Sequence, residues 1–386
     1  MEEMRWCNLI YLRAYLNENL GDDLFVQIIA QRYPKIDLQI FASDDYPVKF
    51  ENNVHFCFTK KEYSKLQNEV KIYDNLRNNK IRRKLLPIFF RPDFKKRREI
   101  AKKADINIYV IGSGFMEGGK RGFWQRIEDR LYFSKKPYLL GCNFGPFFSS
   151  SYKKQYEKLF SKAKDICFRD SYSYNLFKKL NNIRWESDIV FSYNGNVDES
   201  FSKCNEKYIV ISVVNLGKDG TINPNEDLYY EFVSEIAEWF LKRKIKVVFV
   251  GFCKNQGDDV AVEKVLKRIS SQLIEQVEII NYPQNNIPYI LGVFKNAESV
   301  FASRYHAGII GMLFEKKTYF LSYSDKIVNV LRDIDENIKY IDINKKINIK
   351  VEDFILHYGY CISAERLSEI KESSNRQFIK LDSVLK

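Results

Sequence analysis

Residues 298–326 read ESVFASRYHAGIIGMLFEKKTYFLSYSDK, and the alternation inside them decides the fold. Ser299 to Ala302 suits a short buried strand, and Ala307 to Glu315 is apolar at helical spacing. Thr318 to Leu321 is a second strand, and Lys326 opens an amphipathic stretch that runs to Asp333. Short β-branched or aromatic runs separated by helical patterns of about ten to fifteen residues are the mark of βα units on a parallel sheet. Toward the N-terminus the alternation continues through helix Ile287 to Lys295, strand Val277 to Asn281, helix Asp258 to Ile269, strand Lys246 to Gly251, helix Asp227 to Lys242 and strand Tyr208 to Val214. The run YNGNVDESFSKCNEK at 193–207 loses all periodicity and reads as a linker. Before it, strands are expected at Trp6 to Arg13, Leu38 to Ala42, Ile106 to Ile111, Tyr138 to Cys142 and Asp165 to Phe168. Helices are expected at Asp22 to Arg32, Phe123 to Phe133, Tyr152 to Ala163 and Ser171 to Leu180. The expectation is an α/β protein of two Rossmann-like domains facing a cleft. The first covers 1–195, the second covers 196–345, and a helical segment, 346–386, packs back on the first.

Composition narrows the classes. A chain of 386 residues with 45% apolar content exceeds one ordinary core, and its purest apolar runs, such as Ala307 to Phe314, fall far short of the roughly 20 residues that span a bilayer. Seven cysteines form no C-x-x-C pair and are odd in number, which argues against a disulfide framework or a zinc site. The opening MEEMRWCNLIYL lacks the basic and then apolar pattern of a secretory leader, so a cytoplasmic location is expected. The net charge of +12 is concentrated: Lys80 to Lys103 holds eleven basic residues against Asp93 and Glu99, around the apolar insert LLPIFF at 85–90. The run reads either as a solvated surface or, because the charge flanks apolar residues and no nucleic-acid motif is present, as a contact with an anionic membrane at the inner face of the cell membrane and not with nucleic acid.

Ligands of open α/β sheets sit beyond the carboxyl ends of the strands, so chemistry is sought there. The first strand runs into NENLGDDLF, where Asn19 and Gly21 permit a turn and Asp22 reads as the cap of the helix that follows. Gly112-Ser113-Gly114 and Asn143-Phe144-Gly145-Pro146 end two later strands, in loops whose backbone N–H groups can approach a phosphate or a sugar. Arg169 follows Phe168 just before a helix that Asp170 or Ser171 would cap, with Ser173 close behind, and Asp188 lies on a loop in WESDIVFSY. In the opening stretch Arg304 and His306 stand two apart, so an extended backbone would project both to one side, against the helix N-terminus at Ala307. Tyr323 and Lys326 end the next strand. The chain has three histidines, and neither His55 nor His357 has comparable neighbours.

The ordered set N-x-G-D, a Gly-rich strand end, G-x-x-x-G-P-F, F-R-D-x-x-S, a lone Asp before an apolar run, R-x-H-A and Y-x-x-K resembles the polysaccharide pyruvyl transferase family across about residues 8 to 330. The chain differs at Ser113, Cys142 and Asn215, where that family tends to carry Gly, Gln and Arg. The resemblance implies a fold similar to GT-B glycosyltransferases. It also implies transfer of pyruvate from phosphoenolpyruvate to two hydroxyls of a sugar, in a cell-surface glycan or its lipid-linked precursor, as a cyclic ketal. The expected catalytic residues are His306, Arg304, Arg169 and Asp22, with Arg169 and Arg304 gripping the donor from opposite domains. Asn19, Gly21, Gly112, Ser113, Gly114, Asn143, Gly145, Pro146, Asp170, Ser173, Asp188, Tyr323 and Lys326 are expected to bind substrate. No metal and no cofactor beyond the donor is expected. A GT-B glycosyltransferase using a nucleotide sugar is the alternative.

Overall fold

The structure, a computed structural model, describes residues 9–78, 90–198, 200–201, 206–217 and 224–386, with backbone alone over 119–125. The chain divides into two compact units. The first comprises 1–16, 25–187 and 376–386, and the second comprises 17–24 and 188–375.

The first unit is built on β1 Ile10–Ala14, β2 Leu38–Ser43, β3 Val54–Phe58, β4 Ile106–Val110, β5 Tyr138–Cys142, β6 Asp165–Phe168 and β7 Ile183–Trp185. These pair in parallel in the order β3-β2-β1-β4-β5-β6-β7. Between them run α1 Leu20–Arg32, α2 Lys60–Arg77, α3 Pro92–Lys103, α4 Gly119–Tyr132, α5 Ser150–Phe160 and α6 Ser171–Phe177. The order reverses direction at β1, between β2 and β4, which is the switch point where such sheets open a ligand crevice. Aromatic rings fill the core behind β5 and β6: Phe144 meets Phe177 edge-on at 4.8 Å, and Phe160 meets Phe115 at 5.1 Å.

The second unit repeats the plan with β8 Tyr208–Ser212, β9 Lys246–Gly251, β10 Val277–Asn281, β11 Ser299–Ala302, β12 Lys317–Ser322 and β13 Tyr340–Asp342, in the order β10-β9-β8-β11-β12-β13 and parallel throughout. Its helices are α7 Glu226–Leu241, α8 Asp258–Leu266, α9 Ile287–Lys295, α10 Tyr305–Leu313, α11 Asp325–Ile334, α12 Val351–His357 and α13 Ala364–Arg376. Phe301 and Tyr319 stack at 4.3 Å in its core. Both units are Rossmann-like.

Three sequence expectations are corrected. The periodicity reading passed over β3, β7, β13, α2 and α3. In α2 only Leu66, Val70 and Tyr73 are buried, a stripe too narrow to register among its charges, although Thr59 and Glu62 form a capping box at its start. The segment 346–386 does not pack on the first unit as a whole: Val351, Phe354 and Ile355 of α12 sit in the second unit's core, and only 376–386, including α14 Ile379–Leu385, belongs to the first. The basic run is not all solvated charge. Arg91 pairs with Asp74 and Asp93, and Arg97 lies 3.8 Å over the Phe41 ring with Glu128 at 3.2 Å, an acid that also holds Arg13 at 3.0 Å. Most of LLPIFF lies outside the described residues, as does the rest of 80–89.

Gln377 ties 376–386 to the first sheet. Fully buried, its Oε1 accepts from Gly141 N, and its Nε2 donates to the carbonyls of Phe168, Glu186 and Ser187 at 3.0–3.3 Å. Gln377→Ala leaves those buried groups unpaired, so a loss of about 2–3 kcal/mol is expected. A denaturant melt checks this, and an unchanged midpoint would assign the segment no anchoring role.

Candidate functional site

In the second unit the site begins at residues 17–24. Glu18 takes a left-handed backbone (φ 52), turning the chain from β1 into α1. Asn19, and not Asp22, caps that helix: its Oδ1 accepts from Gly21 N at 3.0 Å, which satisfies an N–H that the first turn leaves open. Asp22 therefore sits inside the first turn, half-buried. The segment is pinned by Leu20 N donating to Phe252 O at 3.0 Å and by the Tyr282 hydroxyl donating to the fully buried Asp23 at 2.7 Å.

Gly21 carries the decisive contact. A Cβ there would stand 1.8 Å from His306 Nδ1, so the imidazole occupies the space that any other residue would fill. On its other side His306 Nε2 lies 4.0 Å from Asp188 Oδ2, the oxygen that also accepts from the Tyr305 hydroxyl at 3.0 Å. Asp188 is fixed in turn: Oδ1 accepts from Val190 N at 2.9 Å, and its carbonyl accepts from Ser374 Oγ. The result is a partly buried imidazole wedged between a backbone notch and an oriented carboxylate, on the first turn of α10, where the helix end carries positive partial charge.

The expected alignment of Arg304 with His306 is not found. The helix starts at Tyr305, two residues before the predicted start, which puts Arg304 at its cap position and His306 in its first turn. The two side chains go to different partners. Arg304 forms a two-pronged pair with Asp258, with Nε to Oδ2 at 3.0 Å, and also donates to Gln256. Burial alone would lower the Arg304 pKa, but the Asp258 carboxylate outweighs it and raises the pKa. Asp258 is itself fully buried and accepts from Phe252 N and Cys253 N, so Arg304 locks the loop after β9. Tyr323 packs on the second core, and Lys326 is half-buried in the first turn of α11. Asn215 rests on Gly257, at whose Cβ position its Nδ2 would be 2.5 Å away.

The first unit assembles its own strand-end group. The two Gly-rich loops are hydrogen-bonded together, Asn143 N to Gly112 O at 3.0 Å and Gly145 N to Phe115 O at 2.8 Å. Ser173 Oγ accepts from Phe144 N and donates to Asp170 Oδ2, while Asp170 Oδ1 caps α6 through Ser173 N. Asp170 and Ser173 thus brace the loop. The Arg169 guanidinium lies on Gly112, 3.2 Å from where a Cβ would be. Asn143 is buried, and its Oδ1 meets no hydrogen-bond donor among the described residues. Pro146 joins Gly145 through a cis peptide.

Sequence reasoning missed Asp258, Gln256, Tyr305 and Asp23. Asp258 was legible only as a helix start, because its partner lies 46 positions away. Gly21→Ala is expected to push the His306 ring aside, at an overpacking cost of about 1–3 kcal/mol. With three histidines in the chain, imidazole NMR follows the ring directly, and three unshifted resonances would contradict the packing. Asp258→Ala strips a buried arginine of its charge partner and should cost about 3–5 kcal/mol in a chemical melt; a loss below about 1 kcal/mol would mean that water already screens the pair.

Three comparisons bear on these features. The family model for polysaccharide pyruvyl transferase matches residues 19–325. No curated protein matches the chain. Among solved structures, a putative UDP-N-acetylglucosamine 2-epimerase from Listeria monocytogenes aligns over 98% of this chain and 97% of its own at 10% identity, with a TM-score of 0.56. The trehalose-6-phosphate synthase OtsA aligns over 98% of each chain at 9% identity, with a TM-score of 0.52. Anabaena Alr3699/HepE, in complex with UDP-glucose, aligns over 97% of each at 10% identity, with a TM-score of 0.51. At such identities the likeness is one of fold, that of the GT-B glycosyltransferases with their two Rossmann-like domains. Because the matched span holds Asn19, Gly21, Arg169, Asp188, Arg304 and His306, the residues that build both strand-end groups, the chain belongs to the polysaccharide pyruvyl transferase family.

Proposed function

We propose that the protein moves the enolpyruvyl group of phosphoenolpyruvate onto two hydroxyls of a sugar, in a cell-surface polysaccharide or its lipid-linked precursor, forming a pyruvate ketal and releasing phosphate. The observation that carries this reading is the His306 imidazole seated at Gly21 with Asp188 4.0 Å away, on the first turn of α10. The reaction is a sequence of proton transfers. One sugar hydroxyl adds across the donor double bond, its oxygen to C2 and a proton to C3. The bond from C2 to the phosphate oxygen then breaks, and phosphate leaves with the electron pair. The second hydroxyl bonds to C2 and gives up its proton, which closes the ring. A positioned imidazole serves both as the base for a hydroxyl and as the acid for C3.

The donor is a dense anion, and the second unit offers the N-terminus of α10 and the half-buried Lys326 to meet it. Arg304 acts mainly through Asp258, holding the 252–258 loop against residues 17–24. In the first unit the Arg169 guanidinium brings positive charge to the turn at Gly112. We assign the work to the cytoplasmic side of a membrane. Lys95, Lys96, Arg98, Lys102 and Lys103 of α3 are placed to meet an anionic surface, near which each basic residue contributes about 1 kcal/mol. No helix among the described residues is long and apolar enough to cross a membrane.

Incubation with phosphoenolpyruvate and a panel of hexose and N-acetylhexosamine glycosides should release phosphate. Mass spectrometry should show one glycoside heavier by a pyruvate less one water. Product formed from a nucleotide sugar without phosphoenolpyruvate would overturn the reading in favour of a glycosyltransferase. His306→Ala should fold and still gain thermal stability from phosphoenolpyruvate, yet turn over on the order of 10²- to 10⁴-fold more slowly. Near wild-type turnover in a variant that melts normally would remove His306 from the chemistry.

A further inference from the structure

We propose that Phe148 is a stacking platform for the acceptor's sugar ring, a role that rests on the reaction proposed above. The side chain is 81% exposed, an unusual position for a phenyl ring, while its neighbour Phe147 turns inward onto the aromatic core. Local helix chemistry does not account for it. Phe148 precedes Ser149, the cap of α5, and a large apolar residue there ordinarily packs on the fourth residue of the helix. Here that residue is Lys153, which offers no apolar partner.

The loop is nonetheless built to hold the ring outward. The Glu117 carboxylate accepts from Phe148 N at 2.5 Å, from Ser149 N at 2.8 Å and from Ser149 Oγ at 2.5 Å. Glu117 N donates to Pro146 O at 2.8 Å, and the edge of the Phe148 ring lies 4.0 Å from the Cβ position of Gly118. Phe148 is therefore fixed at the rim of the two hydrogen-bonded loops that carry Gly112 to Gly114 and Asn143 to Pro146. Glu117 and these backbone contacts orient the ring without covering it.

The occupant follows from chemistry. A pyranose has an apolar, C–H-lined face and hydroxyls around its edge, so an exposed flat aromatic meets the face. Phosphoenolpyruvate is a small anion with no such face, and the rim loop should not distinguish it. Phe148 thus favours binding of the sugar and leaves the donor unaffected.

The test compares wild type with Phe148→Ala and Phe148→Trp, using phosphoenolpyruvate and whichever panel glycoside supports phosphate release. Phe148→Ala should raise the acceptor KM by about tenfold or more, leaving kcat and the phosphoenolpyruvate KM within about twofold, and Phe148→Trp should restore the acceptor KM. An unchanged acceptor KM in Phe148→Ala overturns the proposal. So does a lowered melting temperature with parallel loss of both KM values, which would make Phe148 a packing residue. Loss of sedimentation with phosphatidylglycerol vesicles at an unchanged acceptor KM would overturn it in favour of a membrane contact. Wild type that releases no phosphate with any glycoside refutes the reaction itself, a failure distinct from these.

Discussion

The seat of one imidazole constrains the second unit. His306 Nδ1 stands where a side chain at residue 21 would have to be, so the first turn of α1 can approach α10 only because residue 21 is glycine. Once the ring is wedged there, its other nitrogen faces Asp188, whose remaining oxygen and carbonyl are already committed to Val190 N and Ser374 Oγ. A side chain held on two sides by groups that cannot move loses little entropy on meeting a substrate, which is the usual condition for efficient proton transfer.

Charge in the same unit is compensated before any ligand arrives. Arg304 is matched by a fully buried Asp258, and taking both from water is offset only because the pair is two-pronged and Asp258 accepts two further backbone N–H groups. The arginine therefore serves as a structural lock, and the first turn of α10 contributes the positive partial charge of a helix end. The first unit follows a similar logic: Arg13 and Arg97 share Glu128, so part of the large basic excess goes into holding α3 and α4 against the sheet.

Much of this was readable from the order of residues. Two parallel sheets follow from the alternation of apolar runs with helical stripes, since a strand buried on both faces must be apolar along its length. Residue type narrowed the cap of α6 to Asp170 or Ser171, of which Asp170 is the cap, whereas the charge of α2 hid that helix together with its capping box at Thr59 and Glu62. Each site residue lies past a strand's carboxyl end, where the topology of such sheets directs ligands.

What the sequence by itself determined was local: most of the strands and helices, and some of the polar residues that end them, because backbone hydrogen bonding and side-chain periodicity act over a few residues. Only the tertiary structure decided the pairings. The contacts of Gly21 with His306, Arg304 with Asp258, Asp188 with Tyr305, and Gln377 with the ends of β5, β6 and β7 join residues tens to hundreds of positions apart. The spacing of Arg304 and His306 suggested a shared face, but an early helix start and a buried carboxylate sent them to different partners. Such choices depend on which buried charge or ring finds its complement when the sheets close, and that is a property of three-dimensional packing, which no local pattern encodes.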